Sequence, residues 1–542
     1  MNKMKFNISS LCLAATLALA FSACDDDKGN YTYSEINKIT GNFPESVVAM
    51  QGIDNIEITP TIESSIDGPI SANDPNYEFG CQIDVFQYTN EEETDGVRWT
   101  DINPNHDINV NWPATFDVGT YMYWYTVTDK RTGVVSSFTG EIRVLSTTTE
   151  GWMVVSNNGA DKKVRLDMIF KDSKGDTRIR YDVFDDKCPP VYDGISLKIM
   201  GCDANPGDHI ALMTNTESYE LENETLQYDD GYNMNNYNFI VAQTGMHVVD
   251  WTGIYGTLSY APETYCCVTD NGNAYGIVNS ATYGSGFEFP LNTDLPGNAP
   301  TFKVAPKIGT GQSRPNIDGT KVALFYDVTN KRFMRYDNSL DSPNNALLLP
   351  LVTPSNTYFS FEPGMNFVDM ISTRFNAATV YTILQDAQGK RHIYGIRVDG
   401  QGQNAFGQTG AYEISDPNFH VAEHYAFHSQ FPILFYSIGN TVYVRNYITD
   451  QEMGRVEVPA DEKITVLKFN LFQSRSLSDL IDHSDEFLAQ QYDLIVASGT
   501  GAPDSANVRF YHIASNGQAT MFKEYGGLGE EIFDVTYRER RE

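Results

Sequence analysis

The chain is poor in the residues that most cofactor, metal and nucleic-acid chemistry requires. It has seven cysteines in 542 residues, none at CxxC or Cys/His spacing, which excludes the common zinc sites. HExxH, GxSxG, a P-loop and the sialidase box Ser-x-Asp-x-Gly-x-Thr-Trp are all missing, and no Asp ladder of EF-hand type occurs. No cofactor is expected. Positive charge is also short: 38 Lys and Arg face 71 Asp and Glu, a net −33. A surface so acidic repels nucleic acid and anionic lipid, so neither is expected as a main partner. Long apolar runs are lacking too. The single candidate, residues 11–21, is far too short to cross a bilayer.

That short run follows Lys3 and Lys5 and precedes Ser22, Ala23 and Cys24, the layout of an export signal. A cysteine directly after two small residues makes it a lipobox: the chain is cut before Cys24, whose thiol carries the acyl chains. The alternative is an ordinary signal peptide with an incidental cysteine. Cleavage removes two lysines and no acid, so the mature 519 residues carry −35. The run Asp25, Asp26, Asp27 resembles the acidic export tag of Bacteroidetes surface lipoproteins, which implies an outer-membrane lipid anchor facing the cell exterior. Five cysteines remain after Cys12 and Cys24 are set aside, an odd number that excludes full pairing. Cys188 with Cys202 is the best candidate disulfide. Of the neighbours Cys266 and Cys267, one is expected to face inward as a small hydrophobe.

Aromatic content of 12%, mostly Tyr and Phe, with many Gly, Asn and Asp, favours strands joined by tight turns. Residues 24–40 read as a tether. From 41 to 147, short alternating runs separated by turn signals predict an antiparallel β-sandwich. Within it the stretch GTYMYWYTVTD (119–129) is similar to the penultimate strand of polycystic-kidney-disease (PKD) domains, an immunoglobulin-like fold, although the Trp-Asp-Phe-Gly-Asp-Gly run is missing and only Trp99 stands near its place. Tyr121, Tyr123 and Tyr125 share one strand face. They either stack on a sugar or pack inside the sandwich, and packing is the expectation.

After the polar linker 145–149 the chain becomes periodic. Seven apolar runs begin at Trp152, Ile210, Tyr265, Val322, Val380, Ile433 and Leu494, spaced by 58, 55, 57, 58, 53 and 61 residues. Each is followed by a turn and a second strand, mostly with an aromatic: Tyr219, Tyr275, Phe333, Tyr394, Tyr443 and Tyr511. Hairpin repeats of this length predict a seven-bladed β-propeller over residues 150–542. An open stack of sandwich domains is the alternative, but it needs a linker at every second unit. Later hairpins have a strand ahead of them; the Trp152 hairpin has none, and residues 532–537 (IFDVTY) have no hairpin after them. The terminal strand is therefore expected to complete the first blade and close the ring.

Lipobox, acidic tag, PKD-like domain and propeller-like repeats together resemble the PKD-like family lipoproteins of Bacteroidetes. The words DDKGNYTYSEIN (26–37) and TEGWMV (149–154) carry that likeness. The resemblance implies an accessory protein of a nutrient-uptake locus, beside a TonB-dependent transporter and its lid lipoprotein, and it brings no catalytic residues. The expected function is non-enzymatic binding of a glycan or peptide at the cell surface. A glycosidase-type hydrolase with channel carboxylates and a purely structural transporter subunit are the alternatives.

Two segments are candidates for chemistry. His420, His424 and His428, at steps of four, share a face in a helix or a strand, and with Glu423 they suggest a metal site. Their place ahead of the Ile433 run, closed by Phe431 and Pro432, argues for non-ligating roles. Residues 478–490 (SDLIDHSDEFLAQ) read as an amphipathic helix that covers a ring face or packs on its own blade.

Overall fold

A computed structural model describes residues 36–86, 97–200, 209–255, 262–277, 286–311, 322–337, 347–373, 379–400, 402–471 and 490–539. The described chain is almost wholly β and falls into two units that divide between Val144 and Leu145. No described helix is long and apolar enough to cross a membrane.

In the first unit a five-stranded sheet takes the order Ser46–Met50, Val134–Leu145, Gly119–Asp129, Tyr77–Phe86, Val97–Asp101, with smaller sheets of three and two strands. Its first strand, Ile39–Asn42, starts within the expected tether. Alternation along Gly119–Asp129 sorts side chains by face, as a period of two requires. Tyr121, Tyr123 and Tyr125 turn inward and are buried. Burial of a phenol costs free energy unless its hydroxyl finds an acceptor. Here Tyr121 donates to the Asp117 carbonyl (2.6 Å), Tyr123 to Pro44 (2.6 Å) and Tyr125 to Ile108 (2.7 Å). The three tyrosines are core residues. Gly140 lies opposite Tyr123, where an added Cβ would meet the ring at 2.4 Å.

The second unit holds, among the described residues, seven antiparallel sheets of three or four strands in sequence order. The middle strands Gly151–Asn158, His209–Thr214, Pro262–Thr269, Val322–Asp327, Thr379–Gln385, Ile433–Ile438 and Leu494–Gly499 contain the seven apolar runs. Their lack of alternation has a packing cause: both faces are covered. Cys267 lies in the core that holds Met213 of the second sheet, while its neighbour Cys266 lies in the core that holds Phe325 of the fourth. Both cysteines are fully buried, which corrects the expectation that only one faces inward. Leu324 shares a core with Val380, Ile383 with Leu434, and Val444 with Val496 in the clusters that follow. Leu166 and Leu212 share a core between the first two sheets, and Phe510 of the seventh sheet packs with Trp152 of the first.

The first sheet draws its fourth strand from the far end of the chain. Glu531–Arg538 runs antiparallel to Gly151–Asn158, pairing Trp152 with Tyr537 and Val154 with Val535. Ile532 and Val535 are fully buried, and Phe533 lies so close to Gly194 that a Cβ there would meet its ring at 2.1 Å.

Cys188 is a buried free thiol whose sulfur accepts the Tyr228 amide at 3.3 Å; its expected disulfide partner, Cys202, lies outside the described residues. Burial pushes the Cys188 thiol pKa up, so the group stays protonated and unreactive. The proposed helix over 478–490 falls, up to residue 489, outside the described residues, as do Cys24, Asp25, Asp26 and Asp27.

Candidate binding groove and the charged inner strands

The three histidines do not form one face. A 3-10 turn, Phe419–Val421, carries His420; a short strand, Tyr425–Phe427, then separates His424 from His428. His420 is exposed and contacts the Pro417 carbonyl through Nδ1 (2.7 Å). His428 is buried; its Nδ1 accepts the amides of Gln430 (3.1 Å) and Phe431 (3.2 Å), tying down the turn before the next strand. No group of three metal-ligating side chains occurs among the described residues. Burial lowers the pKa of His424 and brings that of His428 down to about 4, so both are neutral at pH 7.

Carboxylates do gather on the opening strands of the sheets, where sequence alone had no means of choosing among 71 acids. Asp250, Asp369 and Asp534 each sit at an irregularity of strand pairing. An Oδ1 of each accepts the following amide: Trp251 (3.0 Å), Met370 (2.8 Å) and Val535 (2.8 Å). The same bulge thus recurs on three sheets and aims three carboxylates alike. Each meets a lysine from the preceding sheet or its lead-in: Lys198 with Asp250, Lys307 with Asp369 (2.9 Å) and Lys468 with Asp534 (2.6 Å). Two reach a neighbouring backbone too, since Ile308 donates to Asp250 (2.7 Å) and Leu197 to Asp534 (2.9 Å). The Lys307 pKa is raised, first by Asp369 and then also by Asp250 and Asp534, so all three acids act on one ammonium. A general acid must carry a proton and be free to give it. Both oxygens of Asp250 and Asp534, and Oδ1 of Asp369, instead accept backbone amides and ammoniums, and the cluster clasps sheet to sheet.

A different place offers an open binding surface. The loop ahead of the fifth sheet and that sheet's last two strands, Arg391–Val398 and Phe406–Glu413, enclose a groove of about 560 Å³. Local chemistry fixes both walls. Gln408 accepts the amides of Tyr358 (2.9 Å) and Phe359 (3.2 Å) and donates to the Phe359 carbonyl (2.7 Å), latching the loop to the strand. Phe359 turns inward against Tyr394 (centroids 4.5 Å apart), while Tyr358 is 69% exposed. On the other wall Asp386 closes a tight turn by accepting the amides of Gln388 and Lys390, each at 2.9 Å. Its second oxygen meets His392 Nε2 at 3.0 Å, and Glu413, the cross-strand partner of His392, lies 3.4 Å from Nδ1. Lys390 binds Glu413 at 2.6 Å. The His392 hydrogen bond lowers the Asp386 pKa, and the Lys390 hydrogen bond does the same for Glu413. Glu362 adds an exposed carboxylate. Sequence reading missed this groove. The one signal was Tyr394, an aromatic of the repeat, and nothing linked it to Tyr358 on a connecting loop.

The first unit also shows an aromatic pair, on the face opposite its core tyrosines. Trp99 and Trp124 are 42% and 41% exposed and meet edge to face, centroids 6.0 Å apart.

Residues 24–187 match the family model described as the PKD-like family. No curated protein matches the sequence. Among solved structures, the chain is similar to a quinoprotein alcohol dehydrogenase-like protein from Bacteroides thetaiotaomicron, with 12% identity, TM-score 0.39, and coverage of 94% of this chain and 100% of the other. The periplasmic gluconolactonase of Pseudomonas aeruginosa is 11% identical, TM-score 0.36, over 72% of this chain and 99% of its own. A DUF4784 family protein from Bacteroides caccae is 10% identical, TM-score 0.25, over 93% and 99%.

Proposed function

We propose, for a chain whose residues 24–187 match the PKD-like family, a lipid-anchored binding or accessory protein of the cell surface that holds a glycan or peptide for a nutrient-uptake system without chemical turnover. Cys24 carries the acyl anchor, and Asp25, Asp26 and Asp27 direct the protein outward to work beside a TonB-dependent transporter and its lid lipoprotein. In this reading the seven sheets are the blades of a propeller, closed where Glu531–Arg538 joins the first blade. A closed ring is a rigid frame on which connecting loops carry the ligand.

The observation that carries the proposal is the groove at Tyr358, His392 and Glu413. It combines an exposed aromatic on a pinned loop with polar side chains held by their neighbours, the make-up of a preformed site. Non-enzymatic action is supported by the inner-strand acids, five of whose six carboxylate oxygens are taken by lysines and amides. The test uses soluble protein from Asp25 onward against glycan and peptide panels, with binding and product followed together. Saturable binding without product is the expected result. Turnover abolished by replacing Asp250, Asp369 or Asp534 would establish the hydrolase instead, and co-purification with a transporter combined with empty panels would establish a structural subunit.

A further inference from the structure

We infer that the groove between residues 358–363 and the strand pair ending at Glu413 is a subsite for a neutral oligosaccharide, with Tyr358 as the stacking platform and Glu413 and Glu362 as hydroxyl acceptors. The inference rests on the binding reading above and names the ligand class of that site.

Tyr358 is the first argument. Its amide is pinned by Gln408 at 2.9 Å, yet 69% of the residue is open to solvent. Ordering an exposed aromatic costs entropy and brings the tyrosine little within the fold. A flat apolar face with a polar tip, carried on a loop whose backbone is pinned in advance, suits a ligand that has an apolar C–H face and a polar rim. A pyranose ring is such a ligand.

Charge narrows the class further. An anionic ligand would meet Glu362 and Glu413 on a protein of net charge −33. At Glu413 a cationic ligand would have to compete with cations already in place, because Lys390 holds Glu413 at 2.6 Å and His392 stands between Asp386 (3.0 Å) and Glu413 (3.4 Å). Those partners take the charge but leave acceptor lone pairs, since a carboxylate offers about four acceptor sites. Neutral hydroxyl donors fit what remains. The volume, about 560 Å³, lies within the roughly 300–1,000 Å³ of small-ligand sites.

The experiment is calorimetry on the soluble form from Asp25 onward with five neutral hexaoses: α-1,4-glucan, β-1,4-glucan, β-1,3-glucan, β-1,4-mannan and β-1,4-xylan. Hexalysine and hexaglutamate serve as charged comparators. At least one hexaose should bind saturably. Tyr358→Ala should weaken it at least tenfold and Tyr358→Trp should retain it, with both variants melting like wild type because the ring is exposed. Glu413→Gln should weaken binding several-fold. No binding by any hexaose, binding by hexalysine alone, or hexaose binding indifferent to Tyr358→Ala would each overturn the assignment. Release of shorter sugars with Tyr358-dependent affinity would keep the assignment and refute only the non-enzymatic reading.

Discussion

Removing the C-terminal strand tests the architecture most directly. A chain ending at Gly529 loses Ile532 and Val535, both fully buried between the first and seventh sheets. Burying such a side chain is worth about 2 kcal/mol, so the pair contributes on the order of 4 kcal/mol. Asp534 is lost as well, with its ion pair to Lys468 (2.6 Å) and its bond from the Leu197 amide (2.9 Å). Hydrogen bonds to charged groups contribute about 1.5–3 kcal/mol each, which brings the loss to roughly 8 kcal/mol before the bared edge of Gly151–Asn158 is counted. That is comparable to the whole stability of a typical domain, about 5–15 kcal/mol. The second unit should therefore lose its cooperative urea transition, followed by circular dichroism at fixed protein concentration. A synthetic peptide of residues 530–542, added in excess, should restore part of it. If the truncated chain unfolds at an unchanged midpoint, the strand does not hold the first and seventh sheets together and the reasoning fails.

Four further outcomes are expected. His428 is held neutral with its pKa lowered to about 4, against about 6.5 unfolded, so its contribution is present above pH 6.5 and lost as pH falls through that window; wild type should lose about 2 kcal/mol more than His428→Gln between pH 7 and pH 5 in urea titrations. Parallel curves for the two proteins would remove His428 from the acid response. Denatured, unreduced protein should react with maleimide at Cys188, and Cys188→Ser should not remove a disulfide from the peptide map. Gly194→Ala should destabilise the protein by about 1–3 kcal/mol, because its Cβ would meet the Phe533 ring at 2.1 Å; an unchanged melting midpoint would show that the ring moves freely. Cys24→Ser should release the protein from membranes, while Ala at 25, 26 and 27 should keep it lipidated but shield it from protease added to whole cells; equal digestion of that Ala variant and wild type would deny the acids an address role.

What the sequence by itself determined is local or periodic. Alternation in the 119–129 stretch placed Tyr121, Tyr123 and Tyr125 on one face, since period two is a property of the strand. The seven apolar runs and their spacing were legible because each middle strand is buried on both faces and so reads as an uninterrupted run. Counting strands also showed that the Trp152 hairpin lacked a leading partner while residues 532–537 lacked a following one. Tertiary structure decided everything that depends on distant segments meeting. The Cys188 thiol turned into the core, where its sulfur accepts the amide of Tyr228, forty residues on. Three aspartates among 71 acids each sit at a bulge and meet a lysine, and no local pattern distinguishes them, because the partner lysines come from distant segments of the chain. The groove is the extreme case. Tyr358 and Gln408 are fifty residues apart, and only the folded loop brings an unremarked tyrosine beside His392 and Glu413. Periodicity is written into a strand by its own backbone, whereas a site is made by what the packing sets against it.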